Sequence, residues 1–132
     1  MEKYLFVYGT LLDERNEFAV YLKKNCPFFA AGKVKGLLYD IGEYPGAIFT
    51  PQGNQYISGV VFKLNDSITT LKLLDDYEGF GITKPSPNEF IRDLLEIETD
   101  AGMVKCWVYL YNLPVDGLWQ IESGNYLEYI KI

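Results

Sequence analysis

The 132-residue chain is acidic, with a formal net charge of −6, and we expect no nucleic-acid partner because such binding depends on clustered Lys and Arg. Hydrophobic residues make up 48% of the chain and aromatic residues 16%, which excludes a disordered protein and favours strands over helices. Histidine is absent, which excludes Ser-His-Asp and Cys-His catalysis and most zinc sites, so proton transfer near neutral pH needs another group, most naturally a buried carboxylate.

The first predicted element is a buried strand over Tyr4–Tyr8, whose aromatic and β-branched run stops at Gly9 and Thr10. Glycine adopts backbone conformations that are closed to other residues and lets a ligand approach the main chain. The consecutive N–H groups of Gly9, Thr10 and Leu11 can therefore converge on an anion. The alternative is an ordinary first strand that ends at a turn.

Short helices and strands alternate along the rest of the chain. A helix is predicted over Asp13–Lys24, and a second begins at Ser67 after an Asp66 cap and ends at Gly79. Strands are predicted over Lys33–Ile41, Ala47–Thr50, Ile57–Leu64, Phe90–Thr99 and Lys105–Asn112. Short turns separate the first three of these strands, so we expect them to be successive antiparallel neighbours, and the last two form a predicted hairpin closed at Asp100–Gly102.

The composition also bears on the organisation and location of the chain. No linker or repeat marks a boundary, and we expect one domain over residues 1–132. Cys26 and Cys106 lack the spacing of a metal or redox site, so we expect buried free thiols and no metal. The first residues lack a basic leader and no stretch approaches transmembrane length, which predicts a cytoplasmic protein without membrane contact.

Glu78 is the acidic residue whose setting best suits proton transfer. It lies at the predicted end of an apolar helix, between Tyr77 and Gly79 and beside Phe80. The partial negative charge of a helix C-terminus and aromatic surroundings both favour the protonated carboxyl and raise its pKa. The alternative is a solvated acid in a helix-ending turn.

Two charged residues near Glu78 are interpreted with it. Asp75 lies three residues earlier, so the two carboxyl groups can share a helix face, and their repulsion would raise one pKa further. Arg92, in the strand that begins at Phe90, can steer an anionic substrate or pair with an inner carboxylate. We favour an outward-facing Arg92.

These residues together resemble the γ-glutamylcyclotransferase-like family, in particular its γ-glutamylamine type. The matching motifs occur in the family's order and span most of the chain. They are Tyr8-Gly9-Thr10-Leu11, Gly36-Leu37-Leu38-Tyr39-Asp40, Gly42-Glu43-Tyr44-Pro45, Leu74-Asp75-Asp76-Tyr77-Glu78-Gly79, Arg92, Trp107-Val108-Tyr109 and Ser123-Gly124-Asn125-Tyr126.

The resemblance implies an α+β fold, a small mixed, mainly antiparallel β-barrel flanked by short helices. It implies that the Tyr-Gly-Thr-Leu loop forms the substrate site opposite Glu78, which would act as general acid/base. Tyr8 and Tyr111 are candidate pocket walls, and the alternative for either is a residue of the core. The implied reaction is intramolecular attack within a γ-glutamyl amine, releasing 5-oxoproline and a free amine without a cofactor. Where the family often has Gly and Asn, this chain has Leu12-Asp13-Glu14, whose acids would favour an amine-bearing conjugate at the pocket mouth.

A different class of function keeps the same pocket. In that alternative, the protein is a non-catalytic module that retains the fold and binds a small molecule without turnover. Retention of Glu78 favours the enzyme, because a pure binder has less use for an unpaired acid beside a carboxylate site.

Overall fold

The computed structural model describes residues 2–131. Within that range the strands are β1 Tyr4–Val7, β2 Phe28–Asp40, β3 Pro45–Phe49, β4 Tyr56–Lys63, β5 Phe90–Thr99, β6 Gly102–Tyr111 and β7 Trp119–Gln120. The helices are α1 Glu17–Asn25, α2 Ser67–Glu78 and α3 Tyr126–Tyr129, and a 3₁₀ turn spans Thr10–Leu12.

Five of the strands close into a barrel in the order β2, β4, β1, β6, β5 and back to β2. All of these pairings are antiparallel except that of β1 with β6, where Leu5 lies opposite Trp107 in a parallel pair. The far half of β2 leaves the barrel and pairs with β3 and β7. The structure is therefore a mixed, mainly antiparallel barrel flanked by short helices, which confirms the predicted fold class.

Alternate side chains of β1 belong to two different cores. Phe6 points into a cluster to which all five barrel strands contribute, whereas Leu5 and Val7 belong to a second cluster on the outer face. The outer cluster also contains Leu22 of α1 and Leu74 of α2. Because both helices are held against the outside of β1, the residues that follow β1 lie beside the end of α2.

The predicted second helix is confirmed with its caps. Asp66 accepts a hydrogen bond from the backbone N–H of Thr69, and Gly79 ends the helix in the left-handed region with a φ of 73°. The predicted start of the first helix is wrong by four residues. Asn16 caps α1 by accepting hydrogen bonds from the backbone N–H groups of Phe18 and Ala19. The separate 3₁₀ turn is formed by Thr10–Leu12 and ends before Asp13.

The strand predictions were accurate in the hairpin and less so before it. The β5 bounds are those predicted, and a hairpin joins β5 to β6. β2 begins five residues earlier than predicted, because its first half pairs with β4 and its second half with β3. The expectation that successive strands pair is correct for β2 with β3 and wrong for β3 with β4, since β2 lies between them.

Both cysteines are buried and free, as predicted. No helix between residues 2 and 131 is long and apolar enough to cross a membrane.

Candidate active site

The chain leaves β1 through Tyr8, whose side chain is anchored in the core. The Tyr8 hydroxyl donates to the carbonyl oxygen of Tyr109 at 2.6 Å and accepts from the backbone N–H of Ala47 at 3.3 Å. Burial raises the pKa of Tyr8, so it stays a phenol. Tyr8 therefore fixes the direction in which the chain enters the next three residues.

Gly9, Thr10 and Leu11 present three consecutive backbone N–H groups at the start of the 3₁₀ turn. The turn is closed by the N–H of Leu12 donating to Gly9 and that of Asp13 donating to Thr10. Between residues 2 and 131, no hydrogen bond takes the N–H groups of Gly9, Thr10 or Leu11 as donors. They are available for an anion, as the loop prediction requires.

Packing gives a further reason for a glycine at position 9. Its φ is −129°, outside the left-handed region. A Cβ at Gly9 would lie 2.7 Å from Cγ of Pro45, the first residue of β3. Close packing against that proline ring, rather than a left-handed backbone, requires glycine here.

Glu78 lies across a narrow cavity from this segment. As the last residue of α2, it lines a space of about 20 Å³ together with Tyr8, Gly9, Thr10, Leu11 and the neighbouring residues Phe6, Val7 and Tyr109. Burial, and secondarily the negative charge of Glu89, raise the pKa of Glu78 to about 8. The structure thus brings Glu78 and the predicted loop to one cavity.

The expected repulsion between Glu78 and Asp75 is replaced by a different arrangement. Asp75 accepts two hydrogen bonds from Arg92, at 2.8 and 3.0 Å, and a third from the Tyr109 hydroxyl at 2.6 Å. The Arg92 guanidinium also lies over the Trp107 ring, 4.4 Å from its centroid. The outward-facing Arg92 is therefore wrong, and the inner pairing that we set second is what the structure shows.

A wider cavity of about 370 Å³ opens on the other side of Glu78. Its lining consists of Thr10, Asn16, Glu43, Tyr44, Tyr77, Glu78, Glu89 and Phe90. A space of this size is within the range of small-molecule sites. A cavity of about 540 Å³ beside Gly32 and Ser58 is larger, but neither Glu78 nor the three free N–H groups reach it.

Polar contacts join the loop to the helix that carries Glu78. The Tyr77 hydroxyl lies 3.1 Å from Oγ1 of Thr10 and accepts from the side-chain amide of Asn16 at 2.7 Å. Tyr77 also stacks on Phe18, with 4.3 Å between ring centroids. These contacts fix the position of the loop relative to the end of α2, where Glu78 lies.

A second carboxylate, that of Glu89 immediately before β5, lines the wide cavity. Glu89 accepts a hydrogen bond from the Tyr44 hydroxyl. Burial and the hydrogen bond to Glu89 raise the pKa of Tyr44, so this phenol remains a donor. Sequence reasoning missed Glu89, Tyr44 and Tyr77 as site residues, although Tyr44 and Tyr77 lie inside the quoted motifs.

Tyr111 and the acids after the loop lie apart from this centre. Tyr111 packs against Phe90 with 5.5 Å between ring centroids, and neither cavity beside Glu78 is lined by it. Asp13 pairs with Arg15 and Glu14 with Lys23, each at 2.8 Å. The acids at the cavity are Glu43 and Glu89 instead of Asp13 and Glu14.

A small closed barrel, in which a glycine-containing loop and a desolvated glutamate line one cavity, is the arrangement expected of the γ-glutamylcyclotransferase-like class. The family model described as gamma-glutamyl cyclotransferase, AIG2-like, matches residues 5–128, and the chain belongs to this family.

Individual relatives agree with this assignment. The chain is 33% identical over 125 residues to the γ-glutamylcyclotransferase family protein YtfP of Escherichia coli strain K12, covering 94% of this chain and 96% of the relative. The solution structure of the E. coli protein superposes with a TM-score of 0.68 over 97% of this chain and 99% of that chain. The γ-L-glutamyl-butirosin B γ-glutamyl cyclotransferase of Niallia circulans is 30% identical over 109 residues, covering 82% of this chain and 66% of the relative.

Proposed function

We propose that the protein is an enzyme that converts a γ-glutamyl amine, or a related small γ-glutamyl compound, into 5-oxoproline and a free amine. The observation that carries this proposal is one cavity lined both by the desolvated Glu78 and by Gly9, Thr10 and Leu11, whose N–H groups donate no hydrogen bond within the described residues. Family membership supports it, as does the likeness to a relative whose name gives γ-L-glutamyl-butirosin B as its substrate.

The reaction needs an acid/base group because two protons move from one nitrogen to another. The α-ammonium of the substrate gives one proton to the Glu78 carboxylate, and the resulting amine attacks the γ-carbonyl carbon. The ring nitrogen loses a second proton to solvent as the five-membered ring forms. Glu78 then protonates the departing nitrogen, the C–N bond breaks, and the released amine takes up a proton from water.

The raised pKa of Glu78 fits both halves of this cycle. A carboxyl group with a pKa of about 8 is closer in acidity to an ammonium group than an ordinary glutamate is. Its carboxylate therefore accepts the substrate proton more readily. The same group, once protonated, is still acidic enough to donate to a leaving amine. Positioned acid/base groups contribute about 10²–10⁴-fold to a rate.

The loop supplies the complementary electrostatics. The N–H groups of Gly9, Thr10 and Leu11 would hold the substrate α-carboxylate or the oxyanion that forms at the γ-carbon. The ring of Tyr8 forms one wall of the narrow cavity. Tyr111 would not touch the substrate in this proposal. It packs on Phe90, which lines the wide cavity, and would help to hold that ring in place. The attacking amine is tethered to its target, so the chemistry calls for no cofactor.

The direct test measures 5-oxoproline release by mass spectrometry from a panel of γ-glutamyl amides. Glu78→Gln keeps the shape of the side chain and should lower turnover by about 10²-fold or more. Glu96→Gln is the matched control, because Glu96 is an exposed residue of β5 and undergoes the same substitution. Turnover by folded Glu78→Gln equal to that of the control would overturn the role of Glu78.

The rival function, a binding protein without turnover, has a distinct signature. It predicts that members of the panel raise the melting temperature of the wild type while none of them yields 5-oxoproline. Cytoplasmic location stays a prediction.

A further inference from the structure

The wide cavity beside Glu78 carries an uncompensated negative charge. Two of its lining residues, Glu43 and Glu89, supply this charge, a third acid, Glu78, keeps its proton up to a pH of about 8, and none of the lining residues is Lys or Arg. Between residues 2 and 131, none of the ion pairs involves these three carboxylates. Glu89 instead accepts from a neutral phenol, Tyr44, which orients the carboxylate without cancelling its charge.

Three cations that lie within a few residues of the cavity lining in the chain are already paired with aspartates. Arg15 pairs with Asp13, and Arg92 pairs with Asp75. Lys84 lies 3.4 Å from Asp76 on the neighbouring turn of α2. No side chain that lines the cavity can therefore neutralise a carboxylate on a bound ligand. A cationic group on the ligand, in contrast, can pair with the carboxylate of Glu89.

We infer that Glu89 selects γ-glutamyl substrates whose leaving amine carries a second, positively charged nitrogen. This inference rests on the proposed function and names the substrate class for the same site. The γ-glutamyl part would lie at the end of the wide cavity that Thr10 and Glu78 line, because the narrow space of about 20 Å³ holds no more than about one water. The remainder of the amine would extend along the same cavity towards Glu89. A remainder ending in a carboxylate would be repelled by the same wall.

Glu89 has a competing use that the experiment must separate. The α-ammonium of the γ-glutamyl group is also a cation, and Glu89 lies close enough to raise the pKa of Glu78. If Glu89 bound that ammonium, its loss would affect every γ-glutamyl substrate equally. If Glu89 binds the remainder, its loss affects only substrates whose remainder is charged.

The test uses three γ-glutamyl amides that share one chain length and differ only in the terminal group, which is ammonium, methyl or carboxylate. We expect the wild type to prefer the ammonium over the methyl compound in kcat/KM by about tenfold, the effect of one charge-assisted hydrogen bond, and to discriminate further against the carboxylate. Glu89→Gln should abolish most of this preference, and Glu96→Gln should retain it.

Two measurements keep this inference separate from the proposed function. Equal wild-type kcat/KM for the ammonium and methyl compounds, or a uniform loss across all three in Glu89→Gln, would overturn the role of Glu89 and leave the cyclotransferase intact. If no compound yields 5-oxoproline, the proposed function fails, and the affinities of the three amides for Glu78→Gln, measured by calorimetry, still decide the preference. An affinity order without advantage for the ammonium compound would then refute it.

Discussion

At the scale of single residues, the raised pKa of Glu78 has one cause that its sequence neighbours predict and one that they do not. The expected partner was Asp75 on the same helix face, but that carboxylate is neutralised by Arg92. The charge that does act on Glu78 comes from Glu89, eleven residues further along the chain. A raised pKa could be predicted from the helix end, but its second cause depends on how β5 meets α2.

The pH dependence of activity should report this environment. Because Glu78 must be ionised to take the substrate proton, kcat/KM should rise as the pH increases through about 8. In Glu89→Gln the inflection should move to lower pH, since a negative charge that disfavours ionisation of Glu78 is gone. Initial rates across the pH range for both proteins measure the shift, and an unmoved inflection would contradict the electrostatic coupling.

Stability should depend on pH through the same group. The folded-state pKa of Glu78, about 8, lies above the ordinary value of 4.5, so between these values the folded protein holds a proton that the unfolded chain has released. The free energy of unfolding of the wild type should therefore fall, relative to Glu78→Gln, as the pH rises from about 4.5 to about 8. Urea titrations of both proteins at the two ends of this window measure the difference, which should be small at the acidic end.

Gly9 is the position where added volume should displace the loop. In Gly9→Ala the new Cβ would approach Cγ of Pro45 to 2.7 Å and Cδ to 3.0 Å, so the 3₁₀ turn or the Pro45 ring must shift. A displacement of this kind should lower kcat/KM by about tenfold or more. Adding Pro45→Ala removes the obstructing ring atoms and should restore part of the loss, whereas additive losses in the double variant would point to another cause.

At the scale of elements, α2 is secured to the barrel by one well-buried ion pair and bordered by an exposed one. Arg92 and Asp75 have side-chain exposures of 15% and 20%, whereas Asp76, the partner of Lys84, is 64% exposed. These adjacent aspartates therefore provide a matched comparison of a buried and a solvated pair.

Removal of each cation should have unequal effects. Arg92→Met leaves the Asp75 carboxylate with the Tyr109 hydroxyl as its remaining side-chain donor and should lower the free energy of unfolding by about 1–3 kcal/mol. Lys84→Met should change it by less than about 1 kcal/mol. Chemical denaturation measures both, and equal effects would argue against Arg92 as the anchor of α2.

Element boundaries followed from local chemistry only where the chain carries its own signals. The caps of α2, Asp66 and Gly79, were identified because they act within a few residues. The start of α1 was placed four residues too early, at Asp13, because the composition of this segment does not show that Asn16 is the residue that caps the helix. The length of β2 depends on partners on two sides, which periodicity cannot reveal.

At the scale of the whole molecule, the closed barrel leaves little room where β4 crosses β1. A Cβ at Gly59 would lie 2.2 Å from the carbonyl oxygen of Val7 and 2.7 Å from the Phe6 ring. Because β1 is shared by the inner and outer cores, a local separation there disturbs both.

Gly59→Ala should therefore destabilise the protein by about 1–3 kcal/mol, in the range expected of an overpacked core. Ser58→Ala is a suitable control, since Ser58 is the exposed neighbouring residue of β4. Thermal and urea unfolding measure the difference between the two variants. A Gly59→Ala protein as stable as Ser58→Ala would show that the barrel accommodates the added methyl group.

The sequence by itself determined the family motifs, whose resemblance implied the fold class, and the caps of α2, and it singled out Glu78 as the candidate acid. Each of these depends on residue types and spacings within short segments. Only the tertiary structure decided that β1 pairs in parallel with β6, that Arg92 is covered by α2 and pairs with Asp75, and that Glu89 and Tyr44 line the cavity beside Glu78. These contacts link residues far apart in the chain. Their energies come from burial and charge proximity, which exist only once the barrel has closed and α2 has packed against it.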